Sequence, residues 1–439
     1  MGSRGGKRMK QASLSIESLR EVVRRLPDNG LTSSREAAIA HLGEHGLPTL
    51  RDEDWKYTDL SPLIEISNRW LTAGGRQQPS ELPRERIADI TSSIDAIWLV
   101  IVNGTIDARS IATVTHKGIE ISRFSDAPPP FAVSRPLADL NAALLQDGLR
   151  IHVNVSIEKP VGILIVDRAG DSAAVAQSCV EIEVASGVSA EFIEYHASDG
   201  DGDHYANSVL SIVVGDRADA KHVRIQNRSL RHVQTGRTSI ALGRDARLRM
   251  ASYDLGGRLI RNDIDIDLSE PGADIGFDGL YLAGDGQHID NHTRVDHRVG
   301  PATSSQEYRG ILNGNCRCVW NGKAIVHQGA DGTDASQANH NLLLSDKAEI
   351  DTKPELEIYA DEVKCSHGTT VGQIDKNALF YLRARGLDKR HATQVLTHAF
   401  AADIVLRAPV TGVKDAITAI VETRLAELIQ EDAAVDLLS

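Results

Sequence analysis

The hydrophobic pattern changes period twice along the chain. From about residue 13 to 75 the apolar positions recur at helical spacing. SIESLREVVRRL aligns Ile16, Leu19, Val22, Val23 and Leu26 on one stripe, and Asn29-Gly30 ends it. Between about 75 and 95, GGRQQPSELPRER predicts a polar, proline-containing linker. The centre alternates instead. RIHVNVSIE places Ile151, Val153, Val155 and Ile157 on every second position, and DIDIDL does the same with Ile264, Ile266 and Leu268. That is the period of strands with one buried face. From Asp375 the helical period returns. ALFYLRARG ends at Gly386, placed as a helix C-cap. The next segment carries Ala392, Val395, Leu396, Ala399 and Phe400 on one face, and the last carries Ile417, Ile420, Val421, Leu425, Leu428 and Ile429. These C-terminal helices are expected to pack on the last turn of the strand region and to leave a face for a partner.

The strands share a longer repeat. VASGVSAEF, VVGDRADAKH, ALGRDARLRM and DLSEPGADIGF each leave a strand, turn on Gly or Asp and re-enter through an alanine (Ala190, Ala220, Ala246, Ala273). A period of that size in an all-strand region predicts stacked coils, in which each coil touches only its neighbours. The competing architecture is a β-sandwich of hairpins. Asn313-Gly314, Asn321-Gly322 and Asp278-Gly279 would serve it as turns.

Bulk numbers narrow the function. Of 439 residues, 48 are Lys or Arg and 61 are Asp or Glu, a net charge of −13, so no basic excess points to nucleic acid. The most apolar run, AIWLVIV (96–102), is far short of the ~20 residues that cross a bilayer. The N-terminal MGSRGGKRMKQ is basic with no apolar stretch behind it, and reads as a flexible tail rather than a secretory signal. Four cysteines are too few for a disulfide framework, and a reducing cytoplasm is the simplest compartment.

Several strings could carry chemistry. His288, His292 and His297 do not share one strand face, so polar strand residues account for them better than a metal site does. Cys316 and Cys318 read as core packing. Asp263, Asp265 and Asp267 alternate with buried isoleucines and predict a solvated acidic stripe. As paired carboxylates they would suit a β-helix carbohydrate-active enzyme, but aromatics are only 4% of the chain, few for a sugar cleft. CRCVWNGKA lacks the first glycine and the hydroxyl of a phosphate loop, which removes ATP binding by that route. In DEVKCSHGTTVGQID (361–375), Cys365 and His367 lie two apart, on one face of a strand. Two ligands cannot close a metal site, so something else must supply the rest.

Residues 335–386, ASQANHNLLLSDKAEIDTKPELEIYADEVKCSHGTTVGQIDKNALFYLRARG, closely resemble the SufB/SufD family of iron–sulfur cluster assembly proteins, and look more like its SufD branch than SufB. EDWKYTDL (53–60) is similar to the family's early Trp-Lys-Tyr-Thr element. The resemblance is strong over roughly 270–405, weaker over the middle coils and slight before residue 50. It implies a mainly β chain: a right-handed parallel β-helix (91–374) between an N-terminal helical region with tail and linker (1–90) and a C-terminal helical domain for ATPase docking (375–439). It implies a non-catalytic scaffold subunit of a SufBCD complex, paired with a SufB-type scaffold through the β-helix and with a SufC-type ATPase through the C-terminal helices. Without SufB the β-helix edge could be offered to a second copy, so a homodimer and a monomer both stay open for the isolated chain. His367 matches the histidine of the family's CSHG motif, a ligand for transient iron or a nascent cluster facing SufB, and Cys365 matches the thiol beside it. The partner's cysteine and acid would complete the set. The alternative within the family is the SufB-type scaffold itself. On either reading the pair is expected to point outward at the seam between two chains.

Overall fold

The computed structural model describes residues 13–76, 81–126 and 135–436. The basic tail lies outside the described residues, as does part of the expected linker. Of the rest of that linker, residues 84–91 form a helix, Arg84–Thr91.

The central strands wind into a parallel β-solenoid of about eight turns. Successive strands alternate between two sheets, one of ten strands and one of nine, so sequence neighbours face each other and every second strand is hydrogen-bonded. In register, Arg247 pairs with Asp274 and Thr303 with Asp334, intervals of 27 and 31 residues. The repeat found in the sequence is this coil. Ala190 and Ala220 stand directly side by side, and Ala190, Ala220, Ala246 and Ala273 all lie in the buried core between the sheets. Small residues are needed there because a strand enters the sheet at a tight corner. The sandwich alternative fails on two of its three turns, and the third, Asn313-Gly314, turns the chain between strands of different sheets rather than within a hairpin. Asp278-Gly279 and Asn321-Gly322 lie within strands Asp274–Ala283 and Arg317–Val326. Gly279 is a hole rather than a turn: a Cβ there would fall inside the ring of Tyr308 on the adjacent strand. Gly310 relates to Tyr281 in the same way, so aromatic rings and glycines interlock between neighbouring coils.

Both outer faces carry helices. Helices Ile16–Val23, Thr32–His45, Ser61–Thr72 and Pro136–Leu144 bury an apolar layer against Val175, Tyr205, Val233 and Leu259 of the nine-stranded sheet. Helices Lys389–Val405 and Lys414–Asp436 do not sit on the last coil, as expected, but run back along the ten-stranded sheet. Ile404, Val405, Ile417 and Val421 pack with Val223, Tyr253, Leu280 and Ile311. Polar contacts fix this course: Asn313 donates to Leu428 O at 2.7 Å, Thr411 N donates to Glu191 at 2.7 Å, and Arg309 pairs with Asp403 at 2.7 Å. Gly386 ends the preceding helix, Lys376–Ala384, at φ +99°, where a glycine is favoured. Among the described residues no helix is long and apolar enough to cross a membrane.

Candidate functional site

The two ends of the solenoid differ. At the N-terminal end each sheet is closed by a short antiparallel strand, Thr105–Ile106 on one and Ile119–Arg123 on the other. At the C-terminal end, strands Glu349–Ile358 and Lys364–Gln373 are the outermost of their sheets, each hydrogen-bonded on one side only. Both edges are therefore open in the same coil. Their residues are half-buried or exposed throughout, unlike those of the coils before them. Apolar side chains stand uncovered there: Ile358 is 43% exposed, Tyr359 62% and Val371 50%.

Cys365 and His367 lie on this terminal strand. Their register partners, Ala335 and Gln337, are buried members of the inward column of the preceding coil. Alternation then turns Cys365 and His367 toward the inner face as well, facing strand Glu349–Ile358, and not outward as expected. No further coil follows, however, so this interior is open along the solenoid axis. Cys365 is half-buried and His367 exposed. Partial burial pushes the Cys365 thiol up, and the Asp334 carboxylate adds to this against a backbone hydrogen bond from Ala335, so a proton must leave when the sulfur binds a metal. Among the described residues, no third His, Cys, Asp or Glu converges on the pair.

The other strings resolve into structure. His288 and His292 face outward on strand His288–His297. His288 Nε2 lies 2.8 Å from Thr58 Oγ1, and His292 Nε2 lies 3.1 Å from Asp290. His297 points inward onto Ser304 at 2.8 Å. Cys316 and Cys318 are buried in the solenoid core, and burial pushes Cys318 well up. The acidic stripe is ion-paired rather than merely solvated: Asp263 with Arg261 at 2.7 Å, Asp265 with Arg237 at 2.5 Å, Asp267 with Arg298 at 2.8 Å. Carboxylates held by guanidinium groups are poorly disposed to act as acid and base on a sugar.

Two arrangements escaped the sequence reading. EDWKYTDL is a clamp: the Trp55 ring stacks on Arg261 at 4.2 Å, Arg261 pairs with buried Asp290 at 2.5 Å, and Thr58 donates to the same carboxylate. The solenoid also has a polar interior in its N-terminal coils. Arg224 pairs with Asp254 at 2.7 Å, Arg228 with Asp167, and Glu194 lies 2.6 Å from His196. Inward parity within each strand is the signal that would have found these residues, because His204, His222 and Arg224 fall in step with core alanines and leucines.

Comparison with known proteins matches the SufBD core domain of the SUF system for iron–sulfur cluster assembly to residues 166–400. The iron–sulfur cluster assembly protein SufD of Escherichia coli is 32% identical over 387 residues, covering 87% of this chain and 90% of that protein. A SufBD family protein of Synechocystis is 28% identical over 440 residues, covering 93% and 95%. SufD of Bacillus subtilis is 29% identical over 300 residues, covering 66% and 67%. The solenoid, its helical flanks and these matches together show that the chain belongs to the SufB/SufD family of iron–sulfur cluster assembly proteins and is most like SufD.

Proposed function

We propose that this chain is a non-catalytic scaffold subunit that joins a SufB-type scaffold through its terminal coil and a SufC-type ATPase through its C-terminal helices. Iron, or a nascent cluster, is the cargo handled at the first contact. The observation that carries the reading is that both sheets end unpaired in the one coil that bears Cys365 and His367. Two open edges beside exposed apolar side chains are what a second β-chain can extend. A thiolate and an imidazole suit iron–sulfur species but leave most of the coordination shell to another chain.

The second contact is supported by the helices. Val395 and Ala399, on the apolar stripe of helix Lys389–Val405, are exposed. Together with Gln394, His398, Glu422, Leu425 and Ala426 they line an open groove between helices Lys389–Val405 and Lys414–Asp436. Phe380 and Leu406 are exposed as well, at 74% and 63%. A partner that hydrolyses ATP would supply the phosphate loop this chain lacks.

The test is co-purification with SufB-type and SufC-type proteins, followed by cluster reconstitution. His367→Ala should leave the assembly intact and lower cluster yield. Ile358→Lys with Val371→Lys should release the SufB-type chain alone, and Val395→Glu the ATPase alone. Full cluster yield from His367→Ala sinks the half-site. Unchanged capture by the two charge variants sinks the contact surfaces.

A further inference from the structure

Inside the N-terminal coils, three side chains unrelated to the terminal coil converge. Asp167 is the penultimate residue of strand Val161–Arg168, His204 begins strand His204–Val214, and His232 sits in the corner before strand Val233–Leu242. All three point inward and are buried, at 1%, 0% and 0% exposure. One carboxylate oxygen and one nitrogen from each ring lie within 4.8 Å of one another.

The hydrogen bonds fix what those atoms are. Asn103 Oδ1 accepts from Arg168 N at 2.8 Å, which identifies it as the oxygen, and His204 Nε2 lies 3.3 Å from it. An oxygen that only accepts leaves the proton on His204 Nε2, so His204 Nδ1 presents a lone pair. That Nδ1 has no hydrogen-bond partner and faces Asp167 Oδ2 at 4.0 Å. His232 Nδ1 is held by Ser198 Oγ at 2.9 Å, and its Nε2 likewise lacks a partner. The two rings stack with centroids 5.2 Å apart. Arg228 satisfies Asp167 Oδ2, but the two buried ring nitrogens have no partner of their own, which is costly unless something binds them.

The surrounding charge favours a cation. Three carboxylates are buried in this interior, Asp167, Glu194 and Asp254, against two guanidinium groups, Arg224 and Arg228. Arg224 is taken by Asp254 and Arg228 by Asp167, so Glu194 is left with imidazoles alone, His196 at 2.6 Å and His222 at 3.5 Å. Arg228 Nε donates to Asp167 Oδ2, the oxygen that also faces His204 Nδ1, and Asn103 and Ser198 hold the outer nitrogens of the rings. Metal sites orient their ligands from the second layer in this way.

We propose that Asp167, His204 and His232 form a buried site for a divalent first-row transition-metal ion of the zinc or ferrous class. Two imidazoles and one carboxylate match the donor preferences of both metals and leave further positions open. The three ligands come from successive coils, so a bound ion ties those coils together.

Cobalt(II) is the probe, read by its visible d–d absorption, in full-length protein carrying Cys365→Ser and His367→Ala so that the terminal coil cannot contribute. The expected result is stoichiometric uptake that raises the melting temperature. His204→Gln and His232→Gln should each weaken it by roughly tenfold or more, while His196→Gln, on the neighbouring carboxylate, keeps it. X-ray absorption at the cobalt edge of the protein with the triad intact, which does not depend on either triad variant folding, should show imidazole scattering. Elemental analysis of protein isolated without chelator separates zinc from iron. Far less than stoichiometric cobalt, a shell without imidazole, or unchanged uptake when His204 and His232 are replaced overturns the site.

Discussion

Replacing Thr58 by Val tests whether EDWKYTDL clamps the N-terminal layer to the solenoid. The substitution keeps the shape and the β-branch and removes only the hydroxyl. That hydroxyl donates to Asp290, and with its single proton used there it accepts from His288 Nε2 at 2.8 Å. Burial keeps His288 neutral, so its ring nitrogen can be that donor. Burial alone would raise the Asp290 carboxyl, but Arg261 and the neighbouring histidines hold it well below the usual carboxylate range, so the lost bond is one to a charged group. Asp290 keeps Arg261 at 2.5 Å, whereas His288 Nε2 is left in a largely buried site with no replacement. A bond to a charged partner contributes about 1.5–3 kcal/mol, and a stranded buried donor costs about as much again at most. Relief through water or side-chain rotation brings the expected net cost to about 2–3 kcal/mol. The cost should appear locally, because stacked coils with docked helices open in pieces. Hydrogen exchange of the amides from Trp55 to Leu60 should accelerate by roughly 30- to 150-fold, with the coils beyond residue 300 unchanged. Glu53→Gln, whose exposed pairs with Lys56 and Lys353 contribute little, is the control. Exchange within threefold of wild type in Thr58→Val would refute the clamp.

Other consequences follow from the same packing. Burial raises the Asp278 carboxyl from 3.8 to about 6 where the chain after helix Lys389–Val405 covers it, despite Arg407 at 3.6 Å. A carboxyl raised in the folded state stabilises below its unfolded pKa and loses that contribution as pH rises through 6, worth up to about 3 kcal/mol. Asp278→Asn should therefore melt higher than wild type at pH 7.5 and flatten the pH dependence between 4 and 6.5; an unchanged pH profile counts against it. Gly279→Ala, which drives a methyl into Tyr308, should destabilise by about 1–3 kcal/mol in thermal melts, whereas Gly368→Ala, with open space in front of it, should be silent. Without SufB-type protein, the isolated chain should elute as a dimer through its open edges, and Ile358→Lys with Val371→Lys should make it a monomer. A wild-type monomer at high concentration would remove the edge from consideration.

The parallel solenoid was legible because its cause is local. Alternation and the corner alanines are properties of consecutive residues, and every coil repeats them. The edges were less so. Alternation places Val155 on the buried face of a strand that instead ends at Val153, and it is 55% exposed. Pattern cannot see where hydrogen bonding stops. The apolar stripe Ala392, Val395, Leu396, Ala399 and Phe400 lies on one helical face, as the spacing predicts, but spacing does not tell how much of it is covered. Ala392 is buried, Leu396 and Phe400 are half-buried and Val395 and Ala399 are exposed, because which side of a helix meets the sheet depends on a docking path that the helix itself does not encode. The orientation of Cys365 and His367 failed for a similar reason. Spacing places them on one face, but only the register with Ala335 and Gln337 tells which. The polar interior was invisible because Asp167, His204 and His232 lie on three successive coils, and only coil stacking brings them together.

That register also sharpens how the terminal coil can work. A stacked-coil protein normally ends in a cap, since an open coil exposes both backbone edges and its own core. Here the N-terminal end has antiparallel strands and the C-terminal end has none among the described residues. The chain had the material to close it: three helices follow directly, yet the two longer ones, Lys389–Val405 and Lys414–Asp436, pack over the outer sheet face. Leaving this end bare is costly for an isolated chain, and that cost is recovered only on contact with another surface. Because Cys365 and His367 look into the open core, a partner that extends both sheets would roof them as well as border them. The site would then be formed and shielded from water by the same act of assembly, and cargo held there would be released when that end opens.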